Sequence, residues 1–241
     1  MPVLQRGEVS IYYEVYGSGY PVLLGAPGSL QSTIEAWHRS KWDPTVEIAS
    51  EFQVIAMDQR NAGQSRAPIR ATDGWQEFLD DQVALLDHLG IQQCHYMGAC
   101  IGVSFALRLI EAQPWRVSAA VLQQPIGANE PRSVSGGFDR WKEALTNHPE
   151  ATEEVLKAYQ ENLYGPLFVY SVSRDFVRSC DKPLLVLPGN DQAHPYEIAR
   201  EIADLAPNAE FIAEWREGPA ADAAFKRVRE FLRSHTPVKS T

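Results

Sequence analysis

Short apolar runs, each stopped by a turn-forming residue, alternate along this chain with segments of helical period. That alternation limits the fold more than any other feature of its 241 residues. Val9–Tyr16 is β-branched and aromatic and halts at Gly17-Ser18-Gly19. Pro21–Leu24 runs into the loop Gly25-Ala26-Pro27-Gly28-Ser29, and Phe52–Met57 ends at Asp58 and a glycine-containing turn. From Thr72 to Leu89 the period changes: Trp75, Phe78, Leu79, Val83, Leu86 and Leu89 share one helical face, and Gly90 supplies the stop. Cys94–Met97 is the next strand, Ile101–Ala112 a helix, and Val117–Leu122 a strand. After Pro125 the alternation breaks, and the segment Ile126–Cys180 holds helical patterns and turns without a convincing strand. It resumes with a strand at Pro183–Leu187 and a helix at Tyr196–Leu205. A strand at Glu210–Trp215 and a helix from about Ala220 to Arg233 complete it. Buried parallel strands read in this way, so the pattern predicts one α/β domain over 1–241. Its mostly parallel sheet would be flanked by helices, with a helical lid insertion at about 126–180. Ligands of such sheets bind beyond the carboxyl ends of the strands, so function is expected in the loops that follow them.

One of those loops carries a reactive residue. Gly98-Ala99-Cys100-Ile101-Gly102 lies where a strand stops and a helix begins. A nucleophile there sits on a tight turn whose neighbours must be small for the adjoining backbones to pass. The helix beginning at Ile101 directs its amide dipoles at the sulfur, which favours the thiolate, and the Ile101 N–H is placed to donate to an oxyanion. A buried cysteine is more often packing, so the reading depends on partners elsewhere in the chain.

Four ordered motifs resemble the α/β-hydrolase superfamily over nearly the whole length. Pro21–Leu24 followed by Ala26-Pro27-Gly28 resembles the strand and oxyanion loop, and Asp58-Gln59-Arg60-Asn61-Ala62-Gly63-Gln64-Ser65 resembles the Asp-x-Arg-Gly-x-Gly-x-Ser turn. Pro188-Gly189-Asn190-Asp191 resembles the loop of the triad acid, and Leu205–Glu210 the approach to the last strand. Most members carry serine at the elbow. A cysteine there is similar to the dienelactone hydrolases, although the other motifs look more like the esterase and epoxide-hydrolase branch. The resemblance implies the α/β-hydrolase fold, an acyl-enzyme on Cys100 and no cofactor or metal.

Two departures stand out. Pro27 has no N–H, so the second oxyanion donor must come from Gly28 or Ser29. The family's histidine follows the last strand, but Arg216–Asp222 contains none. Of the six histidines, His194 fits best: it follows Asp191 by three residues, on the carboxyl rim of the sheet. His38, beside Trp37, is an alternative; His88 and His95 lie towards the amino end of the elbow strand, His148 lies in the insertion, and His235 ends the final helix. Each partner also has a structural reading, Asp191 as a helix cap and His194 as the start of the helix beside Pro195. A thiol eases the demand for a base, because part of it is ionised at neutral pH.

The expected site is therefore Cys100, Asp191 and His194, with Gly28 and Ile101 as the oxyanion hole. Phe168, Tyr170 and Trp141 are candidate pocket aromatics, although aromatic residues in a lid are more often packing. The expected chemistry is hydrolysis of an ester, lactone or thioester, with acyl transfer left open. The rival is a non-catalytic hydrolase-fold protein that binds a small molecule. A net charge of −9 argues against nucleic acid and anionic membranes as partners. The three cysteines have neither disulfide-framework nor zinc spacing. Met1–Tyr20 shows no basic stretch before an apolar run, and no stretch reaches membrane-spanning length. A cytoplasmic protein acting on a small ester-like substrate is expected; oligomeric state is left undetermined.

Overall fold

A computed structural model of the chain describes residues 2–127 and 135–238. Residues 128–134 of the expected insertion lie outside the described residues. Among the described residues eight strands form one sheet: β1 (Val3–Arg6), β2 (Val9–Tyr16), β3 (Tyr20–Gly25), β4 (Phe52–Met57), β5 (Cys94–Ala99), β6 (Val117–Gln123), β7 (Leu184–Leu187) and β8 (Ala209–Phe211). Their spatial order is β1-β2-β4-β3-β5-β6-β7-β8. β1 and β2 pair antiparallel, as do β2 and β4, and every pairing from β4 onward is parallel. This is the mostly parallel sheet that the alternating runs predict.

Both sheet faces are covered, which is why the strands read as continuous apolar runs and not as alternating ones. On one face Tyr96, Leu184 and Val186 pack with residues of α3 (Trp75–His88), α4 (Ile101–Ala112), α7 (Arg174–Ser179) and α8 (Tyr196–Leu205). On the other, Met97, Leu185 and Leu187 pack with Ile34 and Trp37 of α1 (Ile34–His38), which the short α2 (Pro44–Glu47) follows, and with Val228 and Phe231 of the last helix, α9 (Gly218–Ser234). Among the described residues three helices lie between β6 and β7: α5 (Ser135–Ala144), α6 (Glu153–Leu163) and α7.

Helix ends follow local chemistry. α3 begins at Trp75, later than its period alone indicates, because the Glu77 carboxylate accepts the Gly74 N–H at 2.7 Å and closes the first turn. The last helix starts at Gly218, with Pro219 in its first turn, where a missing N–H costs nothing. The strand expected over Glu210–Trp215 stops at Phe211. Ile212 N–H still donates to Val186 at 3.0 Å, after which the chain turns so that the Trp215 indole donates to Pro188 O at 2.8 Å.

The Asp58–Ser65 turn ties the pieces together. Asp58 accepts the N–H groups of Ile34 and Gln64, each at 2.8 Å, fixing the chain just beyond the Gly28-Ser29 loop. Gly63 is obligatory there, since its φ is +52° and a Cβ would lie 2.2 Å from the Asp58 carboxylate.

His95, on β5, is fully buried with Nδ1 2.9 Å from Ser118 Oγ and Nε2 3.0 Å from Thr236 Oγ1. Burial pulls its imidazole down from 6.5 to about 4. On acidification the unfolded chain therefore takes up this proton first, and stability falls as pH drops from about 6.5 towards 4. Urea unfolding of wild type and H95Q should show the wild type losing about 2 to 3 kcal/mol more between pH 7 and pH 4.5. Parallel losses in the two proteins would contradict this assignment.

Candidate active site

Cys100 occupies a backbone conformation that L-residues rarely adopt, φ 57° and ψ −119°. Such a residue costs about 1–3 kcal/mol and persists only where its surroundings fix it. Here the Cys100 N–H donates to Gln123 O at 3.0 Å, and α4 departs immediately after it. The flanking glycines explain why the motif is written as it is. A Cβ on Gly98 would lie 2.3 Å from Gly102 O, and a Cβ on Gly102 would lie 1.9 Å from Gly25 O. β3, β5 and α4 meet backbone to backbone at this point, leaving room for no side chain except the one directed outward.

Two amides converge on the sulfur, the N–H of Gly28 and that of Ile101. Gly28 has φ 123° and Ser29 φ 56°, so two successive residues take positive φ. This bend carries the chain past Pro27 and brings the next N–H inward, so the proline removes no donor that the site uses.

The loop after β7 supplies the other two groups. His194 Nδ1 is 3.0 Å from each oxygen of the Asp191 carboxylate, and one of those oxygens also accepts the backbone N–H groups of Ala193 at 2.8 Å and His194 at 2.9 Å. Gly189 lets this loop fold tightly, since a Cβ there would lie 1.9 Å from His194 O and 2.3 Å from His194 Cβ. The remaining ring nitrogen, Nε2, is buried without a partner of regular hydrogen-bond geometry. The ionisable group acting on it is the Cys100 thiol, and contacts of this kind tighten when substrate binds.

These neighbours set the charges. Burial pushes the Cys100 thiol up, but the neighbouring His194 imidazole, with the Gly28 and Ile101 amides, outweighs it and holds the thiol below its usual value. Burial pulls His194 down, yet Cys100 and then Asp191 outweigh it and raise the imidazole to about 9. For Asp191, burial pushes up while bonding from the His194 side chain and backbone dominates, so the carboxyl lies below its usual range. Each of the two groups therefore favours the charged form of the other, a thiolate beside an imidazolium.

The structure thus brings together Cys100, His194, Asp191, Gly28 and Ile101. The other histidines lie elsewhere. His38 pairs with Asp43 at 2.7 Å, His148 with Glu150 at 2.9 Å, and His88 with the Tyr13 hydroxyl at 3.1 Å. His95 is buried under the sheet's other end, and His235 Nδ1 lies 2.8 Å from Phe231 O. In the segment after the last strand, where the family places histidine, Arg216 stacks on Trp215 at 4.5 Å and donates to Pro188 O at 3.2 Å. Trp215 and Arg216 thereby hold the start of the loop that carries His194.

A cavity of about 780 Å³ opens over the sulfur, lined among others by Ser29, Gln124, Arg140, Tyr164 and Tyr170. Tyr170 is one of the three aromatics expected there. Phe168 is instead buried beneath the Arg174 guanidinium, 4.3 Å from its ring, and Trp141 is buried in a stack on Tyr159. Tyr164, which sequence reasoning missed, caps the helix Glu153–Leu163 and turns its ring into the cavity, edge-on to Tyr170 at 5.3 Å. Among the described residues no group of three or more His, Cys, Asp or Glu side chains converges to hold a metal ion.

Residues 22–168 match the family described as the alpha/beta hydrolase fold. The RutD protein of Azorhizobium caulinodans, which carries the name of a carbamate hydrolase, is 30% identical over 174 residues. That match covers 70% of this chain and 58% of that relative, so the chain spans less than two thirds of its length. Among solved structures, the meta-cleavage product hydrolase CumD of Pseudomonas fluorescens IP01 superposes with a TM-score of 0.75 at 16% identity, covering 98% of both chains. The enol-lactonase of Burkholderia xenovorans LB400 has a TM-score of 0.69 at 19% identity, covering 96% of this chain and 100% of its own. At these identities the two structures share the fold.

Gly189→Ala provides a direct check on how the loop positions His194. The displaced imidazole should leave only the Gly28 and Ile101 amides to oppose the burial penalty on Cys100, lowering its iodoacetamide alkylation rate at pH 6 by roughly tenfold or more. An alkylation profile superimposable on wild type would show that the loop does not set the thiol.

Proposed function

The chain belongs to the α/β-hydrolase fold family, and from that premise we propose that it hydrolyses an activated ester, lactone or thioester through a thioester on Cys100. One observation carries the reading: a strained cysteine at a helix start faces two amide N–H groups and an imidazole that a carboxylate orients.

The chemistry follows from the charges. The Cys100 thiolate attacks the substrate carbonyl carbon, a C–S bond forms, and the carbonyl π pair moves onto oxygen. The Gly28 and Ile101 N–H groups stabilise that oxyanion where its charge develops. On collapse the C–O or C–S bond to the leaving group breaks, and the leaving group takes the proton of the His194 imidazolium. Water then attacks the thioester while neutral His194 removes its proton. Collapse of the second intermediate releases the carboxylic acid and restores thiolate and imidazolium. Asp191 holds the Nδ1 proton throughout and keeps Nε2 directed at the reacting centre. In this reading the whole chain is one catalytic domain, and the helices between β6 and β7 are its lid.

Thiolates are good nucleophiles and also good leaving groups, so acylation by an unactivated amide or alkyl ester would tend to reverse. Substrates with stabilised leaving groups suit this site best. The likeness to a protein named enol-lactonase supports that class, because an enolate is such a leaving group.

Cys100→Ala should lower p-nitrophenyl acetate turnover by at least roughly 10³-fold and abolish stoichiometric iodoacetamide labelling of the site. An unreactive Cys100 with no ester turnover would leave a binding protein in place of the enzyme. The pH profile supplies a separate check. Acylation needs Cys100 ionised and His194 protonated, so kcat/KM should rise with the depressed thiol ionisation and fall again as pH passes about 9. A profile climbing steadily through pH 10 would remove His194 as the proton donor.

A further inference from the structure

We infer that the Ser29 side chain is a third donor to the substrate oxyanion, and that Tyr164 is the positioning residue that directs it there. The inference rests on the acyl-enzyme reading and adds two residues to it.

Ser29 follows Gly28, whose N–H lies against the sulfur, and it lines the same cavity half-buried. A serine hydroxyl has one proton to give and two places to accept. Among the described residues its Oγ has one hydrogen-bond partner, the Tyr164 hydroxyl at 2.9 Å. With Tyr164 as donor in that bond, the Ser29 proton is left for an acceptor in the cavity that Ser29 and Gly28 both line. The phenol suits this role. Burial pushes its ionisation up to about 12, so it keeps its proton wherever the enzyme works, and it lies near enough for the Cys100 charge to act on it.

Tyr164 is also held firmly. The carbonyl of Leu163 accepts from Trp75 Nε1 at 2.9 Å, and the Asn162 amide donates to Ala71 O at 2.9 Å and Asp73 O at 3.0 Å. These bonds tie the end of the inserted helix to the loop before α3, and Tyr170 fixes the ring edge-on. On the far side of Ser29, a Cβ at Gly137 would lie 2.8 Å from its Oγ, so the inserted segment packs directly on the hydroxyl. Ser29 is thus held between Gly137 and Tyr164 of the insertion, at φ 56°.

The alternative is that the pair only braces the loop. Alkylation separates the two, because iodoacetamide reacts with the thiolate without forming a tetrahedral oxyanion, whereas ester turnover needs one. The measurement compares p-nitrophenyl acetate turnover with iodoacetamide alkylation in wild type, S29A, Y164F and the double variant. Y164F keeps the ring against Tyr170. We expect kcat to fall roughly 10- to 100-fold in S29A, with KM and the alkylation rate each within about twofold of wild type. Y164F should lose no more than S29A, and the double variant should be no slower than S29A, since Tyr164 acts through Ser29. Turnover within about twofold of wild type in both single variants overturns the inference, as does alkylation falling in step with turnover. A wild-type protein that alkylates at Cys100 yet turns over no ester overturns the acyl-enzyme reading itself, and this inference with it.

Discussion

Three backbones meet where no side chain fits, and the rest of the site depends on that contact. Gly25 on β3, Gly98 on β5 and Gly102 on α4 approach so closely that a methyl group on either of the last two would overlap a carbonyl. The approach lets the chain reverse from strand to helix within one residue. That residue, Cys100, is held at φ 57° by packing on every side and not by its own preference. A sheet buried on both faces supplies the rigidity, and the strain appears as an outward-directed sulfur at the amino end of a helix.

Around that fixed point the groups proposed to handle protons sit together in one loop. In the family pattern acid and base follow different strands. Here Asp191 and His194 share the loop after β7, while the segment after the last strand offers Trp215 and Arg216 to the Pro188 carbonyl. The segment after the last strand braces that loop in place of offering a histidine. A cysteine tolerates this more readily than a serine would, because its ionisation lies close enough to neutrality for one imidazole to shift it.

The elbow, the strand order along the chain and the Asp58 turn were legible in the sequence because each is local. Glycine at a crowded turn, an apolar run and a helical period depend on neighbours a few residues away. His194 could be singled out for a similar reason, since its separation from Asp191 is only three residues. What escaped were features set by distant packing. Tyr164 terminates an amphipathic helix, and nothing in that pattern distinguishes a capping aromatic from a core one; its direction depends on Trp75 and Asn162 contacts across the domain. Trp141 and Phe168 look equally suited to a pocket by residue type, yet they bury against Tyr159 and Arg174. The early end of β8 likewise follows from the pull of Trp215 towards Pro188, a long-range bond without a local signal.

The tight turn from Asp191 to His194 has a mechanical consequence. Because the carboxylate bonds both the ring and the backbone of a residue three positions on, the distance between carboxylate and imidazole is set by local chain geometry. Tertiary packing determines only where the assembled pair sits relative to the sulfur. Displacing this loop would therefore carry both groups together, and their approach to Cys100 reduces to a single coordinate. A protein whose acid and base ride on separate strands has at least two such distances to keep in register; this one has a hinge to hold.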